Sequence, residues 1–198
     1  MKRLLGLLIL TAFAAVSASA QISADIAATY AHPLGSFADG YTLGYGAKAD
    51  VFVMLPSMPS LGVGASVGLT RFSLDEDIAE DGHLSMLEVL PSARYLFTPP
   101  DSQFGFFGQA GFGLYRGTAS IGDPQYVGDA DHSSSDMGFC AGAGVSGKFA
   151  DAASLVVMPM FHYVNTESEA TKYLAPIFGV LFSAGVDGGA ARRIRLGD

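Results

Sequence analysis

The residue types able to do chemistry are few in this chain, and each group is tied to a local pattern. His132 stands beside Ser133, Ser134 and Ser135, a base next to three hydroxyls. Nucleophilic catalysis needs a fixed geometry between nucleophile, base and an orienting group. The HSSS stretch lies in a Gly/Asp/Ser segment with no oxyanion-hole pattern near it, so it reads as loop and no catalytic residue is assigned. Asp75, Glu76, Asp77, Glu80 and Asp81 form an acidic cluster of the kind hard cations accept. Its spacing matches no EF-hand loop, which needs Gly at its sixth position and Glu at its twelfth, and it reads as a solvated acidic loop. Asp123, Asp129, Asp131 and Asp136 read the same way, so no metal and no cofactor is expected. Gly111-Phe112-Gly113 is no phosphate loop, because no helix follows to present an anion-binding N-terminus.

The remaining charges sit inside alternating segments. Lys48, Asp50, Glu88, Arg94 and Lys148 share the glycine-rich face of their segments, as does Asp25. Placed in a narrow interior, opposite charges among them can pair, and these five are the expected polar network. His162 falls on the same face as an ordinary interior residue, and Cys140 as a small one. Arg71 and Arg116 fall on the opposite, apolar parity near one end of their segments. There they could snorkel or meet the phosphates of a lipopolysaccharide.

The elements that carry these residues are strands. Eight segments are read: 23–31, 41–54, 61–72, 84–97, 103–116, 137–149, 154–164 and 173–184. Most reach the 9–11 residues or so that a tilted membrane-crossing strand needs. Leu43, Tyr45, Ala47, Ala49, Val51 and Val53 share one face of the second segment, opposite Gly44, Gly46, Lys48, Asp50, Phe52 and Met54. The stretch FGFFGQAGFGLY, Phe104 to Tyr115, behaves alike: Phe104, Phe106, Ala110, Phe112 and Leu114 lie opposite Gly105, Phe107, Gln109, Gly111, Gly113 and Tyr115. A soluble barrel puts its charged face outward. Here the non-apolar face is mostly Gly and Ser with few charges, which suits a tight interior, while the continuous apolar face suits lipid.

Connections of alternating length agree. Longer polar loops are read at 32–40, 73–83, 117–136 and 165–172, and shorter turns at 55–60, 98–102 and 150–153. Long and short connections at opposite ends are an outer-membrane pattern. Aromatics near the segment ends, among them Tyr30, Tyr41, Tyr95 and Phe149, suit interfacial girdles. No helical periodicity appears beyond residue 20.

Residues 1–20 stand apart. Lys2 and Arg3 precede an apolar run from Leu4 to Val16, and Ala18-Ser19-Ala20 offers a small-residue cleavage site, so this is read as a secretory signal peptide. The formal charge of −8 argues against a nucleic-acid partner, which calls for a basic face. One cysteine excludes an internal disulfide.

The stretches YAHPLGSFADGYTLGYGAKADVFV, LEVLPSARYLFTP, GFFGQAGFGLY and PIFGVLFSAG resemble the small outer-membrane β-barrel domain proteins of Gram-negative bacteria, of the OmpA/OmpX architecture. The resemblance implies an all-β fold, a closed antiparallel eight-stranded transmembrane barrel over residues 21–184. It also implies a monomer inserted by the barrel-insertion machinery among outer-membrane lipid and lipopolysaccharide, with a structural or surface-interaction role and no catalysis. Such barrels usually end on an aromatic residue. Here the chain continues past Phe182 and Ala184 through GVDGGAARRIRLGD, so residues 185–198, with Arg192, Arg193 and Arg195, are read as a disordered periplasmic tail. A contact with peptidoglycan or another anionic partner is its alternative. Two further alternatives concern the whole chain: a narrow pore for ions or small solutes, and a secreted soluble barrel holding an apolar ligand with Val51 and Phe112 inside.

Overall fold

The structure, a computed structural model, describes residues 21–75, 82–99, 102–121, 132–166 and 169–184. Eight strands follow one another: β1 Ile22–Leu34, β2 Tyr41–Leu55, β3 Met58–Leu74, β4 Gly82–Leu96, β5 Phe104–Ile121, β6 His132–Ala150, β7 Ala153–Asn165 and β8 Thr171–Ala184. Each pairs antiparallel with the next, and β8 pairs with β1 from Ile22↔Ala184 to Leu34↔Lys172, so the sheet closes with no free edge. Closure matters because an unpaired edge cannot be hydrated inside lipid.

The two faces fall where the alternation puts them. Val51, Val67, Leu69, Phe104, Phe106 and Phe112 point outward, Phe112 being 59% exposed. Lys48, Phe52, Phe107, Tyr115, Met158 and Met160 point inward and are buried. The soluble carrier that would hold Val51 and Phe112 inside is thereby overturned. On β5 the outward apolar run from Phe104 to Leu114 is about 33 Å long, and a strand tilt of about 40° makes it about 25 Å tall, the height of a lipid-facing apolar band.

Glycine makes the interior possible. A Cβ on Gly144 would stand 2.7 Å from the Phe107 ring and 2.8 Å from the Met158 Cβ. One on Gly138 would stand 2.8 Å from the Tyr115 ring. The large inward side chains of neighbouring strands occupy the room these glycines leave.

The strands run further than the alternation suggested. The segments read as the loop 117–136 are ladder for part of their length, with Thr118↔Ser133, Gly117↔Ser134 and Arg116↔Ser135 in register. The turns between β2 and β3 and between β6 and β7 are correspondingly tight. Beyond the apolar band a strand keeps its hydrogen bonds but loses the hydrophobic alternation, so its ends leave no periodic signal. The first loop is also not simply polar. Gly35, at φ 63°, turns the chain into a 3-10 helix, Gly35–Asp39, which buries Phe37 against Phe72 and Tyr41.

Candidate functional site

The described part of the lumen is filled from the loop end down to the level of Arg94, below which a small cavity opens at the turn-side mouth. At the loop end, Phe37 meets Phe72 edge-on at 5.1 Å, and Phe72 meets Tyr173 edge-on at 5.3 Å. Tyr173 stacks on His162 with ring centroids 4.4 Å apart, and the Tyr115 hydroxyl stands 3.1 Å from His162 Nδ1. This aromatic column, drawn from the first loop and from β3, β5, β7 and β8, caps the polar layer below it.

In that layer Lys48 Nζ donates to Glu88 Oε1 at 2.6 Å. The two residues sit on β2 and β4, with Gly68 of β3 between them in register. A Cβ on Gly68 would lie 2.7 Å from Glu88 Oε1, so the missing side chain opens the path across β3. The other oxygen, Glu88 Oε2, is 3.1 Å from His162 Nδ1.

A second cluster forms around Arg94. Its Nη2 donates to Asp25 Oδ2 at 2.5 Å and to Gln109 Oε1 at 2.6 Å, and it stands 3.6 Å from Asp50 Oδ2. The guanidinium plane lies against Phe52 at 4.3 Å and Phe107 at 4.9 Å, contacts that suit a delocalised cation. Gln109 Nε2 donates onward to Asp50 Oδ2 at 3.3 Å, and Ser66 and Ser92 share a hydrogen bond at 2.9 Å. Among the described buried side-chain atoms, Asp50 Oδ1 alone lacks a hydrogen-bond partner. Three carboxylates thus face Lys48, Arg94 and the His162 imidazole among buried side chains, where an ion left without a counter-charge is costly.

Of the residues singled out from the sequence, Lys48, Asp50, Glu88 and Arg94 come together, with Asp25. Lys148 does not. It is half-buried near the β6–β7 turn and makes no ion pair with a described residue. Its parity is inward, but its level on the strand is the turn-side mouth, where it lines a cavity of about 70 Å³ with Arg94, Phe107 and several serines. His162, Gln109 and Tyr115 carry more of the network than their types suggested; the available signal was a polar residue on the inward parity of an otherwise apolar or glycine-rich strand. Arg71 and Arg116 are exposed on the outer face.

The residues of HSSS lie on β6, and Ser134 hydrogen-bonds Asp136 at 2.8 Å. The described residues hold no group of three His, Cys, Asp or Glu side chains able to bind a metal. Glu76, Asp77, Glu80, Asp81, Asp123, Asp129 and Asp131, the leader 1–20 and the tail arginines 192, 193 and 195 lie outside the described residues.

A closed barrel with an apolar wall and a packed, charge-paired lumen is the geometry of a membrane-spanning domain. The sequence matches the family model of the outer membrane protein beta-barrel domain over residues 4–176. The chain belongs to that family. Its barrel is a barrel of the outer membrane. Comparison with curated proteins finds no match. Among solved structures, Neisserial surface protein A is similar at TM-score 0.59 and 17% identity, over 82% of this chain and 96% of that one. Ail, the attachment invasion locus protein of Yersinia pestis, solved with the heparin analogue sucrose octasulfate, is similar at TM-score 0.55 and 16% identity, over 84% and 99%. The outer membrane protein OprG from Pseudomonas aeruginosa follows at TM-score 0.54 and 10% identity, over 84% and 97%. At such identities the likeness is one of fold.

Proposed function

We propose that this outer-membrane barrel is a non-conducting, non-catalytic scaffold that acts by structure or by surface contact. The observation that carries the reading is the filled lumen: the aromatic column from Phe37 to His162, then Lys48 with Glu88, then Arg94 clamped by Asp25, Gln109, Phe52 and Phe107. Ions crossing it would have to part buried pairs and ring contacts together. Among the described residues His162 meets Tyr115, Tyr173 and Glu88, and the thiol opposite it in register, Cys140, is buried in the packed lumen, closed to a substrate.

In this reading residues 1–20 direct secretion and are removed. The mature chain is then inserted by the barrel-insertion machinery as a monomer in lipid and lipopolysaccharide, and residues 185–198 lie on the periplasmic side. The loops read from the sequence carry a surplus of Asp and Glu. A rigid barrel that presents such loops suits recognition at the cell surface, and their charge favours cationic partners over sulfated or nucleic polyanions.

Planar-bilayer recording tests the lumen. The full-length protein inserted from detergent is expected to leave the bilayer silent. Discrete conductance steps, altered in Glu88→Ala, would replace this reading with the narrow pore.

A further inference from the structure

The outer wall is uneven around its circumference, and the register shows how. One row of outward residues runs Arg71 on β3, Ser85 on β4, Thr118 on β5 and Ser133 on β6. The next row toward the membrane centre is Leu69, Leu87, Arg116 and Ser135. The row after that, Val67, Val89, Leu114 and Met137, is wholly apolar. In the other direction that first row continues from Arg71 into Tyr45 on β2 and Tyr30 on β1, both exposed. Two arginines and a set of hydroxyls therefore gather on β3–β6, at the edge of the apolar band, while the same row turns aromatic on β2 and β1.

Both arginines are exposed, and neither makes an ion pair with a described residue. They stand two strands and one row apart, about 12 Å between Cα atoms, which two long side chains can close on one headgroup. An arginine aimed at lipid is costly unless it meets water or an anion, and guanidinium is suited to bidentate hold on phosphate. Charge complementarity thus selects the occupant.

The wall below has a shape that agrees. Ala93, Ala110 and Ala141 form one row across β4, β5 and β6. They make a dip under Phe112 and Phe139, with Pro91 beside them. Any acyl chain could lie in such a dip; the arginines above it single out the headgroup.

We propose that the β3–β6 face docks a phosphate-bearing lipid of the outer leaflet, with Arg71 and Arg116 on its phosphates and one acyl chain in the Ala93–Ala110–Ala141 dip. The proposal rests on the membrane-barrel reading but not on a silent lumen.

Native mass spectrometry of the full-length barrel, released from detergent micelles, tests it with bisphosphorylated lipid A as probe. Retention of lipid A in preference to phosphatidylcholine is expected, with retention about tenfold weaker in Arg71→Gln/Arg116→Gln. Lys172→Gln, on β8, is expected to retain lipid A as the wild type does. Dephosphorylated lipid A offered to the wild type gives the same contrast without a variant, so a folding defect in the double variant cannot hide the answer. Equal retention of phosphorylated and dephosphorylated lipid, or of lipid A by wild type and double variant, would overturn the proposal. So would inorganic phosphate competing as well as the lipid. A dimer in place of a lipid-bearing monomer, lost in Ala110→Phe, would give the dip to a second copy and overturn it too. A barrel that is silent in bilayers yet shows no phosphate preference sinks this inference alone.

Discussion

Glu88 is the residue on which two neighbours depend, since its oxygens serve Lys48 and His162 separately. Glu88→Ala leaves a buried ammonium without its counter-charge, and a loss of about 3–5 kcal/mol is expected. Urea titration of the barrel refolded into lipid vesicles reads this as a lower midpoint. Lys48→Met/Glu88→Leu removes both charges and is expected to recover most of that loss, because an apolar pair carries no stranded ion. A double variant no more stable than the single one would show that the pair does more than balance charge. Gly144→Ala is expected to cost about 1–3 kcal/mol in the same titration, because its Cβ would press on the Phe107 ring, the Met158 Cβ and a β7 carbonyl. An unchanged midpoint would mean the interior is looser than described. The charges that face the lumen were legible residue by residue from parity. Which of them meet was not. Arg94 on β4 reaches Asp25 on β1 across the lumen, and that pairing depends on barrel closure and stagger, to which no single strand's pattern refers. Lys148 shows the same limit from the other side: its face is readable, its level along the axis is not.

At the scale of elements, the strand count and the two faces follow from alternation because one wall meets lipid and the other a narrow interior. The ends of β5 and β6 do not, since Thr118, Ser133 and Ser135 keep ladder partners where no apolar demand remains. The 3-10 helix Gly35–Asp39 was hidden for a different reason. Its one large apolar residue, Phe37, sits in a polar stretch too short to show any period. Yet that residue starts the aromatic column. Phe37→Ala is expected to loosen the loop end of the lumen, and hydrogen exchange would read it as faster exchange of amides near Tyr41 and Phe72 with little change near Arg94. Uniform acceleration across all eight strands would show instead that the helix holds the whole barrel.

For the whole molecule, the apolar wall makes a depth-graded prediction. Ala110→Arg, near the middle of the band, is expected to cost about 2–4 kcal/mol in vesicles, and Phe104→Arg, at its turn-side edge, about 0–1 kcal/mol. Equal costs would mean that these two residues do not sit at different depths. The same wall belongs to a closed barrel whose outward phenylalanines face the lipid of the outer membrane. The most direct test is to fractionate expressing cells, extract the outer membrane with detergent and compare boiled with unboiled samples on SDS gels. A closed membrane barrel is expected in the outer-membrane fraction with a shift in mobility on boiling, because it resists SDS until heated. Release into the soluble fraction without detergent, with one mobility under both conditions, would contradict it.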